Sequence, residues 1–298
     1  MFRYLLVAMR PKQWPKNTII FLALAFSMNE SWRLSQVQAL VRATALTMLA
    51  FVLFCLVSSA VYLINDLVDI ERDRQHPKKR FRPLASGKLS PRAALIAAIV
   101  LVWVAIPASF ALSPGLGVAA MTYFVLNLAY SFILKHVVIL DVLAIAGGFV
   151  LRAVAGALVI AVSISPWLYI VTTLGSLFLG FSKRRHEILV LDDARKHRKI
   201  LDEYTPEFLD QMISIVASST VMAYSLYTFS APNLPKNNAM MLTIPFVLFG
   251  IFRYLYLIHL KNEGGSPEDV LLKDIPIIAV IALWLLTSLT ILFVYRGG

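Results

Sequence analysis

Residues 39–64 read ALVRATALTMLAFVLFCLVSSAVYLI, an apolar run interrupted by a single charge at Arg42. A helix needs about 20 apolar residues to cross the hydrocarbon core of a bilayer, and this run exceeds that length. The residues that follow it, NDLVDIERD at 65–73, are mostly polar or charged. The stretch therefore predicts a membrane-spanning helix that ends in an acidic motif at the membrane surface.

The rest of the chain repeats this apolar pattern. Of its 298 residues, 59% are apolar and 15% are charged, which excludes a soluble enzyme with one large core. We predict an all-α polytopic membrane protein, with one transmembrane domain over residues 1–298 and about nine helices around a cytoplasm-facing cavity. The apolar runs are 17–28, 39–64, 93–112, 115–134, 137–162, 165–181, 211–229, 239–258 and 275–295. Because the first run has only 12 residues, an eight-helix arrangement stays open.

The distribution of charge among the loops predicts the orientation. The chain has 28 Lys and Arg against 17 Asp and Glu, and the basic residues concentrate in alternate loops. The positive-inside rule places the N-terminus and the segments 65–92, 135–136 and 182–210 in the cytoplasm. We expect a multi-pass protein of the inner (plasma) membrane, with active-site loops at 65–92 and 182–210. Loop orientation and anionic ligands account for the positive charge, so no nucleic-acid partner is expected. The single cysteine, Cys55, excludes a disulfide framework.

The acidic motif at 65–73 carries three aspartates with a helical spacing. If the helix continues, Asp66, Asp69 and Asp73 share one face. Clustered carboxylate oxygens suit Mg²⁺, which keeps several waters and bridges to phosphate oxygens. The motif therefore predicts a metal-bound diphosphate. The alternative is a solvated acidic helix end neutralised by three nearby cations, Arg72, Arg74 and Lys78.

A basic segment, HPKKRFRPLASG at 76–87, follows the aspartates. Together, residues 65–87 resemble the signature of the UbiA superfamily of intramembrane prenyltransferases, NDxxDxxxD followed by RPLxSG. The resemblance implies eight or nine helices around a cavity. It also implies that Mg²⁺ and the aspartates bind a diphosphate, and that a lipid is joined to an acceptor.

The segment after the sixth apolar run departs from the family pattern. Typical members have a second aspartate-rich motif there, whereas this chain reads GFSKRRHE at 180–187. Three cations cannot bind Mg²⁺, but they can bind a phosphate directly. This difference predicts a substrate set with an additional phosphate. The alternative is a charge run that only anchors the helix end, with Lys183 and Glu187 as an i, i+4 pair.

Three further segments resemble one branch of the family, the decaprenyl-phosphate phosphoribosyltransferases: RPKQWPKN at 10–17, YSFILK at 130–135, and Leu140-Asp141. In that branch the diphosphate belongs to phosphoribosyl pyrophosphate, and the lipid is the acceptor. The resemblance implies transfer of 5-phosphoribose to a polyprenyl phosphate with release of pyrophosphate. In that branch, the product is a precursor of decaprenyl-phosphoryl arabinose for cell-wall arabinan.

The resemblance and the charge pattern together give the expected site. Asp66, Asp69 and Asp73 are the expected Mg²⁺ ligands. Asp66 and Asp69 are also expected to be catalytic, as is Asp141, which would orient ribose hydroxyls or a lysine. The expected substrate-binding residues are Asn65, Lys12, Lys16, Asn17, Lys78, Arg80, Arg82, Tyr130, Lys135, Arg152, Lys183, Arg184 and Glu187.

Arg152 lies 11 residues after Asp141, about three helical turns, so the two share one face of the fifth run. A charged residue within a span is a candidate functional residue. The alternative is a structural arginine bonded to carbonyl groups of a neighbouring helix.

Two other functions compete with phosphoribosyl transfer. One is an ordinary family prenyltransferase that attaches an isoprenyl chain from its diphosphate to an aromatic acceptor. The other is a transporter or lipid scramblase, against which the scarcity of acidic residues at midplane depth argues. The expected partners are phosphoribosyl pyrophosphate, a polyprenyl phosphate and the lipid bilayer, with a homo-oligomer left open.

Overall fold

The computed structural model describes residues 2–27, 32, 36–77, 79–190, 199–231, 234–261, 265 and 267–295. Within these residues the ordered elements are helices, and no β-strand element is present. The all-α prediction is therefore confirmed. The α-helices are α1 (Phe2–Ala8), α2 (Phe21–Phe26), α3 (Val37–Val68), α4 (Ile70–Gln75), α5 (Pro91–Leu112), α6 (Pro114–Phe132), α7 (Leu140–Val159), α8 (Pro166–Val190), α9 (Pro206–Ser230), α10 (Ile244–Leu260), α11 (Pro267–Lys273) and α12 (Ile275–Tyr295).

Seven helices in the described part of the chain are long and apolar enough to cross a membrane: Val37–Val68, Pro91–Leu112, Pro114–Phe132, Leu140–Val159, Pro206–Ser230, Ala239–Leu260 and Ile275–Tyr295. The predicted count of nine is not confirmed. The sixth predicted run forms α8, which is long but mixes its apolar residues with polar ones and carries three basic residues at 183–185, before its last turn. The first predicted run is not a single α-helix. It begins within a 3₁₀ helix, Pro11–Ile20, and continues into the six-residue α2.

The residues form two compact units, one of residues 1–24 and 34–163 and the other of residues 25–33 and 164–298. In the first unit, α3 packs against α5, α6 and α7. Small side chains permit this close helix packing, and Ala50, Ala105, Ala120 and Ala155 are fully or almost fully buried in its apolar core. The single transmembrane domain and the cytoplasm-facing cavity stay predictions.

The second unit packs α8 against α9, and α10 against α12. Its interior includes a polar and aromatic cluster, in which Trp284 Nε1 donates to the Tyr224 hydroxyl at 2.6 Å. The Tyr224 hydroxyl also lies 2.6 Å from Thr243 Oγ1. These bonds satisfy polar groups that have no water to bond within a bilayer.

The 3₁₀ helix Pro11–Ile20, called the N-terminal 3₁₀ helix below, lies against α7 in the first unit. The closest approach is at Gly156, where a Cβ atom would lie 2.1 Å from the carbonyl oxygen of Ile20. Only glycine fits there, because a methyl group would overlap a backbone atom.

We predict that Gly156→Ala destabilises the protein by about 1–3 kcal/mol, as expected when a side chain is forced into a filled space. The matched control is Gly175→Ala, because a Cβ atom at Gly175 meets nothing within 4 Å. Thermal unfolding in detergent should give a lower Tm for Gly156→Ala only. Equal Tm values for the two variants would contradict the packing described.

Candidate functional site

Asp66 lies in the last turn of α3 and is only 2% exposed. Two arginines bond the same carboxylate oxygen. A guanidinium NH₂ group of Arg10 donates to Asp66 Oδ1, and Arg82 Nη1 donates to it at 3.2 Å. A buried carboxylate is costly unless it is paired and hydrogen-bonded. The two guanidinium groups therefore stabilise the charged form of Asp66.

Asp73 joins Asp66 through the same arginine. Arg82 Nη1 also donates to Asp73 Oδ2, at 2.6 Å, and Asp73 is 3% exposed. Because one nitrogen atom contacts oxygen atoms of both aspartates, the two carboxylates face the same point. This convergence links the end of α3, the short α4 and the basic segment that follows.

Asp69 has different partners. Lys135 Nζ donates to Asp69 Oδ1 at 2.8 Å, and a guanidinium nitrogen of Arg72 lies 3.5 Å from the same oxygen. The continuous helix assumed for the aspartate motif does not form, because α3 ends at Val68 and α4 begins at Ile70. Over the described residues, no group of three His, Cys, Asp or Glu side chains is arranged to hold a metal.

The donor chemistry of the aspartate pair nevertheless fits a divalent ion. Asp66 and Asp73 offer hard oxygen ligands aimed at one position, which the cationic Nη1 atom of Arg82 contacts. Carboxylate oxygens of this kind are the protein ligands that Mg²⁺ prefers. A divalent ion there would compete with Arg82, so the same carboxylates can serve an internal ion pair or a metal. The three-ligand site with Asp69 stays a prediction.

A tight loop positions Arg82. The Ser86 N–H donates to the carbonyl of Arg82 at 2.9 Å, and the Leu89 N–H donates to that of Pro83 at 2.9 Å. Gly87 adopts a positive φ of 75°, which glycine tolerates without strain. The side chains of Pro83 and Leu84 are buried, so the loop is packed against the first unit.

The other predicted residues of the basic segment lie differently. Arg80 is exposed, and its guanidinium carbon lies 4.9 Å from the ring centroid of Phe81. Lys78 lies outside the described residues. Of these predicted residues, the structure places Arg82 against the aspartates, whereas Arg80 lies on the surface.

Arg10 was missed by the site prediction although it opens the quoted segment 10–17. Besides Asp66, its guanidinium contacts the ring of Tyr62, with 4.8 Å between the Arg10 carbon and the ring centroid. The signal available in the sequence was the cluster Arg10-Pro11-Lys12 next to an apolar run. That signal does not specify which cation reaches the aspartates. Of the two predicted lysines, Lys12 is exposed and Lys16 is half-buried.

Asn17 and Arg152 contact each other rather than the aspartates. Arg152 Nε donates to Asn17 Oδ1 at 2.6 Å, and both side chains are buried. Arg152 Nη1 also donates to the Gly148 carbonyl of its own helix at 2.9 Å. These contacts resemble those of a structural arginine. The partners are the Asn17 side chain and a carbonyl of its own helix, whereas the structural alternative named carbonyl groups of a neighbouring helix.

The remaining predicted residues of the first unit lie near the turn between α6 and α7. Ser131 Oγ donates to Asn65 Oδ1 at 3.4 Å. Lys135 is buried in a 3₁₀ turn, Leu134–His136. Asp141 is fully buried in the first turn of α7, and Tyr130 is half-buried in α6. Asn65, Asp69 and Lys135 thus connect the aspartate motif to this turn.

Two arginines of the segment 180–187, in the second unit, make different contacts. Arg184 is 2% exposed, and its Nη1 atom donates to Glu187 Oε2 at 2.6 Å. Arg185 donates through Nε to Asp210 Oδ1 and through Nη1 to the Ile258 carbonyl at 3.3 Å. Arg185 therefore ties α8 to α9 and α10. Arg184 and Glu187 also form an ion pair one helical turn apart, and the i, i+4 pair of Lys183 and Glu187 stays a prediction.

Comparison with known proteins identifies the class. The profile of the UbiA prenyltransferase family matches residues 17–269. The chain therefore belongs to the UbiA prenyltransferase family. A solved UbiA homologue from Archaeoglobus fulgidus, bound to GPP and Mg²⁺, has the same fold: the TM-score is 0.73 at 17% identity, over 98% of this chain and 100% of the other.

Two relatives are similar over almost the whole sequence. The decaprenyl-phosphate phosphoribosyltransferase of Corynebacterium glutamicum is 36% identical over 281 residues, which cover 93% of this chain and 82% of the relative. The enzyme of the same name from Mycobacterium tuberculosis is 32% identical over 281 residues, which cover 94% and 91%.

We predict that Arg185→Met lowers the stability of the second unit by about 0.5–1 kcal/mol, because it removes a partly exposed ion pair with Asp210 that joins α8 to α9. The matched control is Arg80→Met, which removes an exposed arginine. Thermal unfolding in detergent should detect a lower Tm for Arg185→Met only. An unchanged Tm would mean that Arg185 does not hold these helices together.

Proposed function

We propose that the protein transfers 5-phosphoribose from phosphoribosyl pyrophosphate to a polyprenyl phosphate and releases pyrophosphate. The observation that carries this proposal is the similarity, over more than nine-tenths of the chain, to two decaprenyl-phosphate phosphoribosyltransferases. Their names support decaprenyl phosphate as the acceptor. The product would then be a precursor of decaprenyl-phosphoryl arabinose for cell-wall arabinan.

The charges of the first unit support a donor that carries both a pyrophosphate group and a separate phosphate group. Asp66 and Asp73 supply oxygen ligands, while Arg10, Arg82 and Lys135 supply cations next to them. Mg²⁺ bound by Asp66 and Asp73, with Asp69, would neutralise charge on the pyrophosphate leaving group. Arg82, with Arg80 and Lys78, would bind the remaining phosphate charge through charge-assisted hydrogen bonds.

The acceptor needs little chemical activation. A phosphate monoester is already anionic at neutral pH, so no general base is required and positioning should matter most. An oxygen of the lipid phosphate would form the bond to ribose C1 as the bond from C1 to pyrophosphate breaks, with inversion at C1. Lys183 and Arg184 would hold either the 5-phosphate or the lipid phosphate. Asp141 would orient ribose hydroxyls or a lysine.

The proposed setting is the inner membrane, with this chemistry on the cytoplasmic side. The spanning helices support a multi-pass protein. The basic residues of the segments 65–92 and 182–210 support a cytoplasmic orientation of both active-site loops.

We predict that Asp66→Asn and Asp69→Asn each reduce phosphoribosyl transfer by about 100-fold or more, because each removes one charged oxygen ligand. The matched control is Glu71→Gln in the same motif, since the Glu71 side chain is 80% exposed and its ion pair is with Arg74. Initial rates in membranes with labelled donor and Mg²⁺ provide the measurement. Wild-type rates in both aspartate variants would refute this assignment.

An aromatic prenyltransferase is the second candidate, because the UbiA family match and the solved homologue bound to GPP also support it. Radiolabelled substrates separate the two. Membranes should form a lipid product from polyprenyl phosphate and phosphoribosyl pyrophosphate. They should form none from an isoprenyl diphosphate and 4-hydroxybenzoate. Product from only the second pair would establish the alternative.

A further inference from the structure

Side-chain hydrogen bonds attach the N-terminal 3₁₀ helix to α3. The 3₁₀ helix has ten residues, whereas 3₁₀ helices longer than about four residues are uncommon because their hydrogen-bond geometry is poor. Trp14 Nε1 donates to Ser59 Oγ at 3.1 Å. At the residue before this helix, Arg10 bonds Asp66. The segment therefore runs along α3, from Asp66 back toward Cys55.

Among these side-chain contacts of the segment with α3, that of Asn17 lies farthest from Asp66. The Nδ2 atom of Asn17 lies 3.2 Å from Cys55 Sγ and 3.4 Å from Ser58 Oγ. Its oxygen accepts from Arg152 Nε at 2.6 Å. A guanidinium group can only donate, so Arg152 determines which end of the carboxamide faces α7 and which faces α3.

Arg152 is itself rigidly held. Its three guanidinium nitrogens donate to Asn17, to the Gly148 carbonyl, and to the Tyr123 hydroxyl at 2.8 Å. The guanidinium carbon also lies 4.6 Å from the centroid of the Tyr123 ring. These partners are neutral, and they leave the side chain in one orientation.

Gly156 provides the second contact between α7 and the segment. It lies one helical turn after Arg152, on the same face of α7, and a Cβ atom at this position would overlap the backbone carbonyl of Ile20. Residues 17 and 20 of the segment thus meet residues 152 and 156 of α7. These two points fix both the depth and the rotation of the N-terminal 3₁₀ helix.

We propose that Arg152 is a positioning residue for the aspartate site. Through Asn17 it holds the N-terminal 3₁₀ helix against α3 and thereby keeps Arg10 on Asp66, although Arg152 contacts neither of those residues. The catalytic part of this inference rests on the proposed function. The structural part, that Arg152 keeps Asn17 against Cys55 and Ser58, does not.

The reactivity of Cys55 can be used to test the contact of Asn17 with α3. Cys55 is the single cysteine of the sequence, it is buried, and it lies under Asn17. We predict that Arg152→Met and Asn17→Leu each increase the rate of Cys55 alkylation by N-ethylmaleimide by about tenfold or more, because local opening governs reagent access. The matched control is Arg253→Met, which removes another helix arginine, one paired with Asp274, and should leave the rate unchanged.

Activity tests whether the effect passes through Arg10. Arg152→Met should reduce kcat/KM for phosphoribosyl pyrophosphate by about tenfold, and it should cause no further loss in an Arg10→Met background. Arg152→Lys, which keeps a donor toward Asn17, should recover part of the activity. A purely structural role would instead give additive losses.

Unchanged Cys55 alkylation in Arg152→Met would overturn the inference. Additive losses in the double variant would overturn the link to Arg10. If the wild-type protein transfers no phosphoribose, the proposed function fails, whereas the alkylation rates still decide whether Arg152 holds the segment.

Discussion

The buried charge of Asp66 is the constraint on which the first unit depends. A carboxylate at the last turn of a spanning helix must be paired, because burial penalises the charged form. Arg10 and Arg82 supply that pairing from opposite directions along the chain, one from the N-terminal segment and one from the loop after the aspartate motif. Both segments are therefore drawn to the same end of α3.

This arrangement produces a site in which each of the three aspartates contacts at least one cation. Arg82 bridges Asp66 and Asp73, Arg10 adds a second guanidinium, and Lys135 pairs with Asp69. In the proposed function, binding of the phosphorylated donor and its metal would replace these ion pairs. The carboxylates would then bind the metal, and the cations would bind phosphate groups. No charge would then be left buried without a partner.

The sequence predicted the features that follow from local composition and spacing. Long apolar runs gave most of the helices, and the nearby acidic and basic segments predicted that Arg82 and the aspartates belong to one site. The first run did not form a spanning α-helix, since it is short and is preceded by Pro15 and Lys16. The contact of Arg10 with Asp66 and the contact of Arg152 with Asn17 join residues 56 and 135 positions apart. Such pairs depend on tertiary packing, which the local composition and spacing of one sequence do not specify.

The most direct test of the central claim is a cryo-EM map of the protein with Mg²⁺ and a non-hydrolysable analogue of phosphoribosyl pyrophosphate. The account predicts density for a cation between the carboxylates of Asp66 and Asp73 and the pyrophosphoryl group, with Arg82 moved from the carboxylates onto a phosphate. Analogue bound elsewhere, with Arg10 and Arg82 still on Asp66, would contradict it.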